Sequence, residues 1–215
     1  MIKNILWLCD IPLPIQMEGL LPYSKNHKSQ VHARIVEAAR QLFNRHGFDN
    51  VTIDQLMAEA GLTRGGFYAH FDSKADVFAA ATASFLHGQG AIWREQAGVD
   101  PTAGQVEMAK RMVASYLSRE HLDQIENQCP MIAYATDVSR AGPKVQAGYR
   151  ELLEGMVQLF EHNLGSDDAQ RSEDAMALTA MCVGAMTIAR ALPEMAIGEE
   201  IRQSALNKAN QLWVA

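Results

Sequence analysis

The residues with the clearest chemical use lie in one stretch, Val51 to Lys74, VTIDQLMAEAGLTRGGFYAHFDSK. Thr52, Thr63, Arg64, Tyr68, His70 and Lys74 all carry hydrogen-bond donors, and Arg64 and Lys74 carry full positive charge. Donors at this density suit an anionic, acceptor-rich partner. A guanidinium can hold guanine O6 and N7 with two parallel bonds, so Arg64 is the candidate base reader. Gly65 and Gly66 follow it, each costing a helix about 1 kcal/mol relative to alanine. Their small size would let the backbone approach a groove, with Thr63 lying beside them. The alternative reading of this pair is a weak helix start with no partner. Tyr68 offers a hydroxyl, His70 an imidazole N–H, and Lys74 a charge beside a helix N-terminus that itself favours anions.

The elements that must position these groups are legible from local signals. Thr52 and Gln55 are spaced as a capping box, in which hydroxyl and amide each satisfy an orphan backbone N–H. Ile53, Leu56, Met57 and Ala60 recur at helical spacing. Gly61 then permits a left-handed stop, Leu62 plugs the turn, and Thr63 is placed to cap a second helix. Phe67 and Phe71, four apart, give that helix an inward face. Ser73 and Asp76 open the next. Helix, glycine turn and helix form the pattern that sets a second helix in the DNA major groove. Upstream, Val31, Ile35, Ala38, Ala39, Leu42 and Phe43 stripe a helix over 29–46, stopped at His46-Gly47. Its Arg34, Arg40 and Arg45 read as a solvated face, and 24–28 as a polar, basic lead-in.

GLTRGGFYAHFDSK, Gly61 to Lys74, preceded by an apolar helix ending near His46-Gly47-Phe48, resembles the N-terminal domain of TetR-family repressors. The likeness covers about Ser29 to Phe85 and points to the TetR/AcrR family of one-component regulators. It implies backbone contacts from Thr52, Tyr68, His70 and Lys74, a double-stranded DNA operator, a small-molecule effector, and a homodimer. It also implies that the helix starting at Ser73 links a DNA-binding domain to an effector domain, with a pocket between the helices beyond it.

Composition is compatible with this. The 215 residues are 48% hydrophobic and 20% charged, ordinary for a globular protein able to bury a core. The net charge of −6 at first argues against nucleic acid, but it is unevenly spread. Tyr23 to Ala80 holds seven Lys/Arg against six Asp/Glu and four of the seven His; Ala81 to the end holds eleven against seventeen. Phosphate contact needs local positive groups, not a basic whole chain. Three Cys without pairing spacing suggest reduced thiols in a cytoplasmic protein, with no metal and no cofactor. No G-x-S-x-G, phosphate-binding glycine loop or H-E-x-x-H occurs, so an enzyme is not expected. His87, His121 and His162 read as isolated surface histidines.

The fold class expected is all-α: a three-helix helix-turn-helix domain at 23–76 and a helical ligand-binding and dimerisation domain at 77–215. Residues 1–22 differ. Asp10, Pro12 and Pro14 interrupt their apolar run, and Met17 is a possible true start. They read as a loosely docked or disordered extension, not a leader or a membrane span. Further helices are expected at 73 to 88 or 90, 102–119, 122 or 130 to 140, 143–164, 167–191 and 194–213. Phe85, Trp93, Met108, Met112, Tyr116, Tyr134, Met156 and Phe160 are the candidate residues for the effector pocket that the resemblance implies; methionine is adaptable to varied ligands, but each Met taken alone reads better as core filling. Cys129, just before Pro130, would be a redox or electrophile sensor if a helix N-terminus lowered its pKa; the alternative is an inert thiol at a turn. Ala175, Ala177, Ala180, Gly184, Ala185 and Ala189 would permit close helix approach in a dimer through the last two helices. Repressor is the leading reading, with activator or Cys129-based sensor as alternatives.

Overall fold

The computed structural model describes residues 25–164 and 168–212; the extension at 1–22 lies outside them. Among the described residues the chain forms only helices, two of them short 3₁₀ segments, and no strand.

Helix α1 spans Lys25–His46, so the expected polar lead-in is its first turn. Gly47, at φ +74°, ends it as the left-handed residue that glycine supplies cheaply. Helix α2 spans Ile53–Glu59. Its capping box is formed: Gln55 N–H donates to Thr52 Oγ1 at 3.2 Å, and Thr52 N–H donates to Gln55 Oε1 at 2.8 Å. Gly61, at φ +66°, turns the chain. Arg34 stays exposed, as expected, and also donates to the Ala60 carbonyl at 2.6 Å, capping the end of α2. The second helix of the pair, Arg64–Ala69, is 3₁₀ and not α-helical. Two glycines weaken it, and Thr63 makes no side-chain cap bond, contrary to its expected role.

Helix α3, Lys74–His87, is capped by Ser73, whose Oγ accepts from Asp76 N–H at 3.2 Å. It stops at Gly88, where a Cβ would sit 2.9 Å from the Ser84 carbonyl. A short helix α4, Gln89–Gln96, follows at once; it was not anticipated from sequence. Helix α5 is Val106–Tyr116. The region 119–140 breaks into α6 (Arg119–Asp123), a 3₁₀ turn at Ile125–Asn127, α7 (Pro130–Ala133) and α8 (Ala135–Arg140), where one longer helix was expected. Long helices α9 (Pro143–Asn163), α10 (Asp168–Ala191) and α11 (Ala196–Gln211) complete the body.

Two apolar cores result. The first joins α1, α2, the 3₁₀ segment and the start of α3, around Ile35, Phe43, Leu56, Phe67 and Phe78. The second fills the body, around Val113, Leu117, Phe160, Leu178 and Met186. Helix α3 belongs to both: Val77, Phe78 and Ala81 sit in the first, Phe85 in the second. The packing therefore passes from one core to the other inside α3, beyond the division expected at residue 76. Helix α9 lies close along α3, where Gly148 and Gly155 leave room: Cβ atoms there would meet the Ala79 carbonyl at 3.4 Å and Leu86 at 3.2 Å. A shift of α3 is thus felt along most of its length by α9, because close-packed helices leave no slack to absorb it.

Candidate nucleic-acid interface and internal cavity

The segment Thr63–Tyr68 presents its functional atoms outward. Tyr68 is 60% exposed while its neighbour Phe67 is fully buried and packs edge-on beneath it at 5.3 Å. Thr63, Arg64 and Gly65 are exposed, and Gly66 is half-buried. A Cβ on Gly65 would meet nothing within 4 Å, and one on Gly66 only the Met57 methyl at 3.6 Å. Neither glycine has a positive φ. The fold itself does not require them, so their smallness is available to an outside partner. Arg64 is paired with Asp54 across the turn at 2.6 Å, with both side chains more than half exposed. Such a surface pair holds weakly, roughly 0–1 kcal/mol, and can be exchanged for a stronger partner.

Thr52 is exposed but already engaged in its capping box. His70 is half-buried beside His32, ring centroids 6.0 Å apart, and its Nδ1 is buried without a partner. Burial first, then the charges of His32 and Lys28, hold it below the usual histidine range. Lys74 departs most from its expected place. Its ammonium donates to the Phe48 carbonyl at 2.9 Å and the Val51 carbonyl at 3.0 Å, and lies 4.2 Å from the Phe48 ring centre. It ties the loop before α2 to the start of α3, with one of its three donors left for a phosphate.

The body holds an internal cavity of about 60 Å³ among α3, α4, α5, α6, α7 and α9. Five expected residues line it: Phe85, Trp93, Met112, Tyr116 and Met156. Met108, Tyr134 and Phe160 do not. Met108 turns toward Asp100, whose N–H lies 3.3 Å from its sulfur. Phe160 is fully buried in the body core. Tyr134 belongs to the first core, its ring 4.9 Å from Phe78 and its hydroxyl 3.4 Å from Thr82. Helical periodicity marks a residue as inward without saying which of two cores it enters.

Several wall residues escaped sequence reasoning, among them Arg94 and His121. His121 is buried, not on the surface. The Cys129 N–H donates to its Nε2 at 3.2 Å, so the ring proton is on Nδ1 and is donated to the Tyr116 carbonyl at 2.8 Å. Burial lowers its pKa to about 4, opposed by that carbonyl bond, so it is neutral near pH 7. The signal for His121 was Ser118, which caps α6 through the His121 N–H at 3.0 Å, but a cap does not reveal an inward ring. Cys129 also lines the cavity. Burial pushes its thiol up to about 11, opposite to what a reactive thiolate needs, and α7 is only four residues long.

A polar network joins the cavity wall to the first core. Arg40, expected on a solvated face, is 1% exposed. It donates to the Glu126 carbonyl at 2.7 Å and Asn127 Oδ1 at 3.0 Å. Asn44 Nδ2 donates to the Gln128 carbonyl at 2.8 Å and that of Glu126 at 2.9 Å. Arg190 of α10 donates to both the Gln128 side chain and the Asn44 carbonyl. Arg45 pairs with Glu126 at 2.5 Å. Helix α1 is therefore bonded to the segment that leads directly into Cys129.

The architecture is thus a capped helix–turn–helix carried by an all-helical body with an internal cavity. Residues 35–81 match the family model of bacterial regulatory proteins, tetR family. The chain is 40% identical over 55 residues to an uncharacterized HTH-type transcriptional regulator, YfiR of Bacillus subtilis (strain 168), covering 26% of this chain and 27% of that one. It is 34% identical over 55 residues to the HTH-type transcriptional repressor BepR of Brucella suis biovar 1 (strain 1330), covering 26% of each. These matches span about a quarter of the relatives' length. The fold extends further: a TetR transcriptional regulator from Legionella pneumophila superposes with TM-score 0.65 at 17% identity, covering 81% of this chain and 95% of that one. The likeness in sequence to the tetR family of bacterial regulatory proteins is thus carried by the N-terminal domain.

Proposed function

We propose that the chain is a DNA-binding transcriptional repressor, controlled by a small molecule in the internal cavity. The observation that carries this is the outward face of Thr63–Tyr68, where the glycines serve no internal purpose. Arg64 would exchange Asp54 for a guanine edge, Thr63, Gly65 and Gly66 would lie against the groove, and Thr52, Tyr68, His70 and Lys74 would meet phosphates. Two copies would pair through α10 and α11. Met176 and Ile188 on α10 and Ile197 on α11 are exposed, and Ala177 and Ala180 let backbones approach. Helix Gln170–Ala191 is also long and apolar enough to cross a membrane by length and composition. Its buried face is spent on the body core, and pairing of the exposed face is the reading favoured here, in a cytoplasmic protein. A two-fold dimer reads a palindromic operator, with recognition segments on the order of 34–36 Å apart.

The geometry supports ligand control. Phe85 lines the cavity from α3, whose other end carries Ser73 and Lys74 beside the recognition segment. Cys129 lines it from the segment bonded to α1. A ligand that widens the cavity displaces both routes. It can release DNA only by binding the released state better, by typically 1–3 kcal/mol of coupling. A gel-shift titration of the full chain on the DNA upstream of its own gene, repeated with an apolar small-molecule panel, tests this. Specific binding that is lost on addition of one compound is expected; no preference for any DNA over random sequence would refute it.

A further inference from the structure

The chemistry of the cavity wall narrows the class of ligand it can hold. Its groups are not evenly divided between donors and acceptors. Trp93 Nε1–H and the Tyr116 hydroxyl are both buried without a hydrogen-bond partner, and Tyr116 itself is only 5% exposed. Beside the Tyr116 hydroxyl lies the Cys129 thiol, a weak acceptor. Arg94 lies on the same wall. One of its nitrogens donates to the Leu86 carbonyl at 2.8 Å, and it has no ion pair among the described residues. Burial alone lowers its pKa, with no carboxylate charge opposing that. His121 has both ring nitrogens occupied and is neutral. Among the described residues no Asp or Glu lines the cavity; the remainder of the wall is apolar apart from Ser115 and the thiol.

A cation entering this space would meet a like charge and no counter-charge. A wholly apolar molecule would fill it while sealing two N–H and O–H donors away from water. An anion with an apolar body meets two donors and a guanidinium able to grip it with two parallel bonds. We propose that the cavity, widened by its ligand, takes a small organic carboxylate, its oxygens held by Arg94, Trp93 Nε1 and the Tyr116 hydroxyl and its apolar body packed against Phe85, Met112 and Met156. This rests on the cavity being the effector site.

Matched pairs test it: benzoate, 4-phenylbutyrate and octanoate against benzamide, 4-phenylbutyramide and octanamide, titrated calorimetrically into the full chain near pH 7, where the acids are ionised. At least one carboxylate should bind about tenfold or more tighter than its amide. Arg94→Gln, which keeps a donor for Leu86, should erase that preference, and Arg94→Lys should keep part of it. Equal binding of acid and amide, or a preference that survives Arg94→Gln, overturns the proposal. If toluene or octanol binds and loosens the operator complex while no carboxylate does, the carboxylate proposal is overturned and the effector reading stands. If no compound of any kind binds, both fall.

Discussion

At the scale of single residues, groups that serve the fold are distinct from those free to serve a partner. Gly65→Ala is the sharpest case. The new methyl enters open space, and alanine is the better helix former by about 1 kcal/mol. Thermal unfolding should show unchanged or higher stability while operator affinity falls; unchanged affinity would mean the pair is only a weak helix start. Arg64→Ala should relax sequence preference at a cost of about 1–3 kcal/mol on the cognate site. Lys74→Ala should weaken all sequences alike and shallow the salt dependence by about one unit. It should also lower the melting temperature, because two carbonyls lose their donor. His121 gives a pH signature. Its folded pKa, about 4, lies below the unfolded value of about 6.5. The stability it contributes is therefore complete above about 6.5 and is lost as pH falls toward about 4. Chemical denaturation across that range should show the loss, and His121→Asn should flatten it. Cys129 should react slowly with thiol reagents near pH 7, since its thiol stays protonated.

At the scale of elements, the difference between what was legible and what was not has a physical cause. The helix–turn–helix was readable because its signals are local: Thr52 with Gln55, Gly61, Ser73 with Asp76. The long helices at 143–163 and 168–191 carry enough periodic apolar residues to declare themselves. The cavity was half readable. Phe85, Trp93, Met112, Tyr116 and Met156 face it, but Tyr134 packs into the other core because the chain breaks into short pieces before it. Arg40 looked solvated because its partners, Glu126 and Asn127, lie more than eighty residues away. That network carries its own prediction. Asn44→Ala removes a tie between α1 and the segment before Cys129. It should reduce the coupling between ligand and DNA, measured as operator affinity with and without ligand, while ligand affinity stays within about twofold. Unaltered coupling would leave α3 as the sole route. Bulky substitution at Met112 should change induction and spare operator affinity.

At the scale of the whole molecule, the proposed DNA-reading end, the cavity and the proposed pairing face are connected through helices that belong to two of the three. Pairing is tested by sedimentation at micromolar concentration. The wild-type chain should run as a dimer, and Ile188→Glu with Met176→Glu should run as a monomer with much weaker operator binding. A monomeric wild type would remove the reason for a palindromic site. The central claim is that cavity and DNA interface are linked, and linkage is reciprocal: whatever factor the ligand takes from DNA affinity, DNA must take from ligand affinity. The most direct test is operator affinity of the full chain at one fixed salt concentration, with and without a saturating ligand already shown by calorimetry to bind. The account predicts a loss of about 5–150-fold, mirrored in weaker ligand binding to the operator complex. A tight cavity ligand that leaves operator affinity unchanged would contradict it.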